Sequence, residues 1–260
     1  MNILVFLKIV SQQQFADTLG DHETRLGSGS LVINPTDLYA LELALRIKDR
    51  NRQTVVTVIT MAPASCESEL RSALAMGADH AVLVADSKMA GSDSLVTARI
   101  LAEAAKKLPA QNLLLCGKKS IDSETGHIAS QLAAYLHYPI ATNVMDFSVE
   151  DGLSITHLSD RFVAEYKGQF PAILSICNGT EMVRKPSILG LQRSRNKSVQ
   201  RFALEDLDLL PEEVGAAGSM TRVIRVETSS LARKAGNMTD DCASGARHIA
   251  EAIQKWAVQL

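Results

Sequence analysis

The run Gly117-Lys118-Lys119-Ser120-Ile121-Asp122-Ser123-Glu124-Thr125-Gly126 gathers small, hydroxylated and charged residues directly after the apolar segment Asn112–Cys116. Gly117 lets the backbone turn tightly. Ser123, Thr125 and Gly126 would set hydroxyls and free amides at the start of the helical pattern Ser123–His137, where phosphate is favoured. Lys118 or Lys119 could add charge. On spacing alone the run is equally an ordinary helix start capped by Asp122 or Ser123, because it matches neither Gly-x-Gly-x-x-Gly nor the phosphate-loop pattern.

Asn34-Pro35-Thr36-Asp37 is a second candidate. Asn34 can cap a helix, Pro35 suits its first turn, and Asp37 complements the helix dipole. The same Asn34 amide could instead face a ligand at a sheet edge. The turn Thr60-Met61-Ala62-Pro63 leaves another strand-like run beside that edge. Three strand ends converge there if Asn2–Leu7, Thr54–Thr60 and Asn112–Cys116 are neighbours. Of the six histidines, only His127 falls in the loop-to-helix junction, and taken alone it reads as a surface side chain. No histidine or cysteine spacing suits a metal. Neither a Gly-x-Ser-x-Gly elbow nor an HExxH helix is present, so hydrolysis has no visible machinery.

The elements that must position these residues alternate. Asn2–Leu7 and the β-branched Thr54–Thr60 read as buried strands. An apolar helical face runs from Leu38 to Ile47. Ser65–Met76, Ser94–Leu108 and Ser123–His137 read as helices, and His80–Val84 and Asn112–Cys116 as strands. Strand-helix alternation with short connections predicts an α/β fold with a doubly wound, mostly parallel, Rossmann-like sheet. Ser11–Ser30 reads as a long polar loop or hairpin. After Pro139, Ala141–Glu150, Leu153–Leu158, Arg161–Glu165 and Ala172–Ile176 are strand-like, with Asp151-Gly152 as a hairpin turn, which predicts an antiparallel extension.

From about Met182 to Asp240 the chain has too little apolar sequence to fold alone, so it is expected to wrap a partner. Arg184, Lys185, Arg193, Arg195, Lys197 and Arg201 are the densest basic run. Pro186-Ser187-Ile188-Leu189 within it has the make-up of an apolar anchor in a charged rim. The plainer reading is a solvated face. A final helix, Asp241–Val258, carries Ile249, Ile253 and Trp256 on one stripe. The expected division is a nucleotide-binding domain at 1–181 and a docking loop with an extended C-terminal arm at 182–260.

Composition narrows the classes. The net charge of −2 supplies no field for nucleic acid or an anionic membrane, and 4% aromatic content argues against base stacking. No run has the ~18 apolar residues of a membrane span. Cys66, Cys116, Cys177 and Cys242 are scattered, as expected for reduced thiols of a cytoplasmic protein.

Several segments, in order, resemble the small, beta-type subunit of electron transfer flavoproteins. They are Asn2–Val10, Ile33–Glu42, Ala73–Asp79, Gly117–Gly126 and Arg184–Lys197, over roughly residues 1–200. The resemblance implies an adenine nucleotide alpha hydrolase-like fold and a heterodimer with an FAD-bearing alpha subunit. It implies an electron-transfer role without independent catalysis, serving acyl-CoA or other dehydrogenases. It also implies a second nucleotide in this chain, AMP in simple carriers and FAD in electron-bifurcating members. The implied contacts are Phe6, Lys8, Asn34, Met61, Gly117, Asp122, Ser123, Glu124, Thr125, Gly126, His127 and Ile128. FAD-type members more often read Asp-Gly-Asp-Thr-Ala/Gly-Gln-Val, and Asp122–Ile128 is similar to that pattern. It departs at Ser123, Glu124 and His127. FAD is the expected occupant, with AMP here and FAD in the alpha subunit as the alternative. The implied partner-docking residues are Arg184, Lys185, Ile188, Leu189 and Arg193, although the family usually has a Pro-Arg-Tyr-like stretch at Met182–Lys185. The competing class is a stand-alone adenine-nucleotide sensor similar to universal stress proteins, which are normally much shorter.

Overall fold

A computed structural model describes residues 1–11, 31–177, 182–222, 224 and 241–257. The first strands are β1 (Asn2–Phe6), β2 (Ile9–Ser11) and β3 (Leu31–Ile33). β2 and β3 form a separate antiparallel pair, and the polar stretch expected to join them lies outside the described residues. Helices α1 (Pro35–Arg50), α2 (Glu67–Met76), α3 (Ser94–Lys106) and α4 (Ile128–Leu136) alternate with strands β4 (Val55–Met61), β5 (His80–Val84) and β6 (Leu113–Gly117). Then come β7 (Ile140–Ser148), β8 (Leu153–Leu158), β9 (Val163–Gly168), β10 (Ala172–Ile176), α5 (Ile188–Arg195), β11 (Val199–Phe202) and the single turn α6 (Gly215–Gly218). Helix α7 is Cys242–Ala257.

Among the described residues nine strands form one sheet, in the order β11-β5-β4-β1-β6-β10-β7-β8-β9. All pairs from β11 to β7 are parallel, while β7-β8 and β8-β9 are antiparallel. Successive strand residues face opposite sides, and this period divides the core. Ile3 and Val5 of β1 join Leu41, Leu45, Leu70 and Leu74 of α1 and α2 on one face. Leu4 and Phe6 join Val96, Ile100, Ala129 and Leu132 of α3 and α4 on the other. Each buried Val, Leu or Ile among them contributes about 2 kcal/mol relative to exposure. Helices on both faces of a largely parallel sheet make the doubly wound arrangement expected from the alternation.

One strand differs from expectation. Ala172–Ile176 is not part of the antiparallel extension but lies between β6 and β7, parallel to both. It is buried along its whole length, and so suits an interior position rather than an edge. The compact unit runs from Met1 to Ile224. Residues 182–222, expected to wrap a partner, pack on this body instead: α5 lies on α2, and β11 pairs with β5. In the second unit, α7 leaves Ile249 and Ile253 63% and 59% exposed.

Candidate nucleotide site at the sheet switch point

The strand order reverses between β1 and β6. From β1 the chain steps outward to β4 and β5, then returns to place β6 on the other side of β1. At such a reversal the connections leaving the carboxyl ends of the strands diverge, and this is the usual ligand position of such sheets. The expected neighbours, strands one, two and four of the α/β alternation, are β1, β4 and β6.

Asp37, in the first turn of α1, joins the two strand ends. Its Oδ2 accepts the Lys8 N–H at 2.7 Å, and its Oδ1 accepts the Gly117 N–H at 3.1 Å. Burial pushes this carboxyl from 3.8 up to about 7, outweighing the two amides, which favour the charged form. Gly117 is needed here for close approach. A Cβ on it would lie 2.2 Å from Asp37 Oδ1 and 2.5 Å from Thr36 Oγ1.

The same helix turn fixes the loop beyond Gly117. Thr36 Oγ1 donates to the Lys119 carbonyl at 2.5 Å, and Asn34 Nδ2 donates to that carbonyl at 3.1 Å and to Thr36 Oγ1 at 2.8 Å. Asn34 Oδ1 accepts the Ile121 N–H at 3.1 Å. Asn34 therefore stands at the N-cap position without capping α1 through its side chain. It is buried, and its amide is spent on the loop's main chain.

Lys8 closes the loop from the β1 side. Its ammonium donates to Asp122 Oδ1 at 2.7 Å and reaches Asp122 Oδ2 at 2.6 Å, with Ser120 Oγ at 3.3 Å and Ser123 Oγ at 3.5 Å. The two serine hydroxyls lie 3.0 Å apart. Burial raises the Asp122 carboxyl, but the hydrogen bonds and charge of Lys8, with Ser120 and Ser123, hold it below its ordinary value. Lys119 pairs with Glu124 at 2.8 Å. Lys118 is exposed.

The helix expected to open at Ser123 begins at Ile128 instead. Glu124 has φ +52° and Gly126 φ +67°, which an α-helix cannot contain, and the Glu124 N–H turns back to the Ser120 carbonyl at 3.0 Å. The free amides of the helix start thus lie at Ile128–Ser130, not at Ser123. His127 occupies the N-cap position without a side-chain cap bond. Thr125, Gly126 and His127 are exposed ahead of those amides, as are Ser123 and Glu124. Phe6 is only 4% exposed and belongs to the core, so its side chain offers the crevice no surface. Met61 stands half-buried at the end of β4.

The basic run divides. Arg184 pairs with Glu42 and Asp49 of α1, Lys197 donates to the Ala78 carbonyl at 2.6 Å, and Arg201 bonds Glu67. Lys185 and Arg193 are exposed. Ser187 caps α5 by accepting the Gly190 N–H at 2.9 Å, which leaves Ile188 88% and Leu189 53% exposed at its start. Among the described residues no group of three His, Cys, Asp or Glu could hold a metal, and no helix is long and apolar enough to cross a membrane. Cys66, Cys116 and Cys177 are buried free thiols, and Cys242 is an exposed one.

Sequence reasoning missed Asp37 and Thr36 as site residues. Their signal was visible as Asn-Pro-Thr-Asp, but it is indistinguishable from local capping until β6 is placed beside α1.

The family model described as "Electron transfer flavoprotein domain" matches residues 28–207. The Acetobacterium woodii protein named "Caffeyl-CoA reductase-Etf complex subunit CarD" is 36% identical over 75% of this chain and 74% of its own length. The electron transfer flavoprotein subunit beta of Megasphaera elsdenii is 32% identical over 76% of each chain. That of Thermoanaerobacterium thermosaccharolyticum is 33% identical over 97% of this chain and 98% of its own. The match covers both the switch-point loop and the basic run, and it sets the chain apart from short stand-alone sensors. The chain belongs to the electron transfer flavoprotein family, among its beta subunits.

Proposed function

We propose that this chain pairs with an FAD-bearing alpha-type subunit and carries a second nucleotide, FAD, at the crevice between β1 and β6. The observation that carries this reading is the convergence of Lys8, Asn34, Asp37 and Gly117 on one loop. These ties hold the loop at the carboxyl ends of β1 and β6, where open sheets of this kind bind their ligands.

The donor set fits a dinucleotide. The uncapped start of α4 offers main-chain amides, Ser123 and Thr125 offer hydroxyls, and Gly126 offers backbone that a side chain would crowd against Lys118 O at 3.2 Å. Thr60 Oγ1, at the end of β4, is buried and without a partner among the described residues. Phosphate is assigned to the free amides that open α4 at Ile128–Ser130, with His127 as an added donor. Lys8 and Asp122 are assigned to holding the loop. Glu124 and Met61 border the crevice. A bound flavin supplies one- and two-electron redox chemistry, and this chain's part is to position it and set the local charge and hydrogen bonding.

The name of the Acetobacterium relative places that protein in a reductase complex. A second flavin in the present complex would open the division of an electron pair between two acceptors. α5, with exposed Ile188, Leu189, Lys185 and Arg193, is assigned to docking an acyl-CoA or other dehydrogenase. The stripe of α7 is assigned to the alpha subunit. The test is the absorption spectrum and flavin-to-AMP ratio of this chain co-purified with its large partner. Two flavins and no AMP are expected; one flavin with one AMP makes the complex a simple carrier.

A further inference from the structure

The basic run Arg184–Arg201 reads in the sequence as a solvated face or a charged docking surface, yet Arg184 turns inward. Its Nε and main-chain N–H both donate to Glu42 Oε2, at 2.8 and 3.0 Å, and its Nη2 donates to Glu42 Oε1 at 2.9 Å. The same Nη2 reaches Asp49 Oδ2 at 2.8 Å. Three bonds therefore fall on one carboxylate whose side chain is 9% exposed, in the two-pronged geometry that suits a guanidinium and not an ammonium.

The place of this clamp in the chain gives it a use. Residues 182–187 are neither helix nor strand, so side-chain ties must set their path into α5. Val183 packs on the core beside α1, and Arg184 binds α1 directly. Past the entry, α5 is gripped from α2. A Cβ on Gly190 would lie 2.1 Å from the Ala75 carbonyl oxygen, and Arg71 Nη1 donates to the Ser194 and Lys197 carbonyls at 2.9 and 3.1 Å. α5 thus sits between a grip from α2 along its length and the Arg184 clamp at its entry. Ile188 and Leu189 project from the turn between them.

We propose that Arg184 is a positioning residue for the docking helix. Bound through Glu42 to α1, it fixes where Ile188 and Leu189 are presented, and it makes no contact with the redox partner itself. This inference rests on the reading of α5 as the docking element. α1 then serves both regions: its first turn holds the switch-point loop, and Glu42 and Asp49 hold the entry to α5.

The test is amide hydrogen exchange, read by mass spectrometry, on this chain co-purified with its large subunit. Loss of a buried charge partner should open the segment that it ties down, so E42Q and R184Q should each speed exchange of the Leu191–Arg195 amides roughly tenfold. The Gly117–Ile121 loop and α3 should stay at native rates, and the double variant should go no further than either single one. R184K should return part of the protection, and K185A should exchange as the native chain does. Unchanged α5 rates in E42Q would overturn the proposal. So would equal acceleration in α3, which marks general loss of stability, or K185A matching R184Q. The docking role of α5 is read separately, by electron transfer from a purified acyl-CoA dehydrogenase to the I188A complex. Unchanged transfer there would remove the docking reading and leave the exchange result standing.

Discussion

Gly117 and Asp37 meet so closely that a Cβ on the glycine would lie 2.2 Å from the carboxylate oxygen that its own N–H donates to. The contact locks the start of the switch-point loop onto the first turn of α1. G117A must push Asp37 or the end of β6 aside. Overpacking of that kind costs about 1–3 kcal/mol, and the loop should lose its nucleotide. Thermal unfolding and nucleotide content measure both effects. Lys118 is exposed next to it, and K118A should leave stability within about 0.5 kcal/mol.

Asp37 makes stability depend on pH near neutrality. Its carboxyl is at about 7 in the fold against 3.8 as its ordinary value, so between these the folded state binds more protons than the unfolded chain. Stability therefore falls as pH rises through that window. The penalty is absent below about pH 4, full above about pH 7, and on the order of 4 kcal/mol. In D37N this slope should vanish from denaturant unfolding measured between pH 5 and 8. The variant should be weakest relative to the native chain at the acid end. A native profile that rises with pH across the window would refute this assignment.

The Lys8–Asp122 pair separates two ways in which the loop could hold an anion. If Lys8 met a phosphate alone, removing Asp122 would free it and tighten binding. If the pair shapes the loop, D122A and K8A should both weaken nucleotide retention, by roughly tenfold or more for a lost charge-assisted bond. Because the pair is partly exposed, with side chains 39% and 17% accessible, unfolding free energy should change by no more than about 1 kcal/mol. Equilibrium dialysis with FAD on the complex reads the first effect. Weakening in both variants is expected.

Helix α7 carries Ile249 and Ile253 exposed, as a helix made for a partner surface would. The double variant I249E/I253E should abolish co-purification with the large subunit. The Met1–Ile224 unit should keep its unfolding midpoint. Normal recovery of the heterodimer would assign the stripe elsewhere.

Much of this architecture was legible because it rests on periodicity. Buried β-branched runs and amphipathic helices announced themselves, and His80–Val84, Leu153–Leu158 and Ala172–Ile176 were bounded as they occur. What local pattern could not give was long-range placement. Ala172–Ile176 looks like its antiparallel neighbours until β6 and β7 are seen to flank it. Asn34 is a good N-cap by type, yet its amide gains more from the Lys119 carbonyl and the Ile121 N–H, 85 and 87 residues away. The start of α4 was set too early because Ser123–Gly126 has helix-start composition, while the Lys8–Asp122 pair and two positive φ angles hold it as loop. Arg184 shows the same limit: its charge is visible in sequence, and its direction is not.

A flavin held by the switch-point loop of this chain must appear in the cofactor count of the complex. Counting FAD and AMP released from the native and G117A heterodimers tests it most directly. Two FAD and no AMP are expected from the native complex, and one FAD from G117A. A native complex that releases one FAD and one AMP, or one that keeps two FAD when Gly117 is replaced, would contradict it.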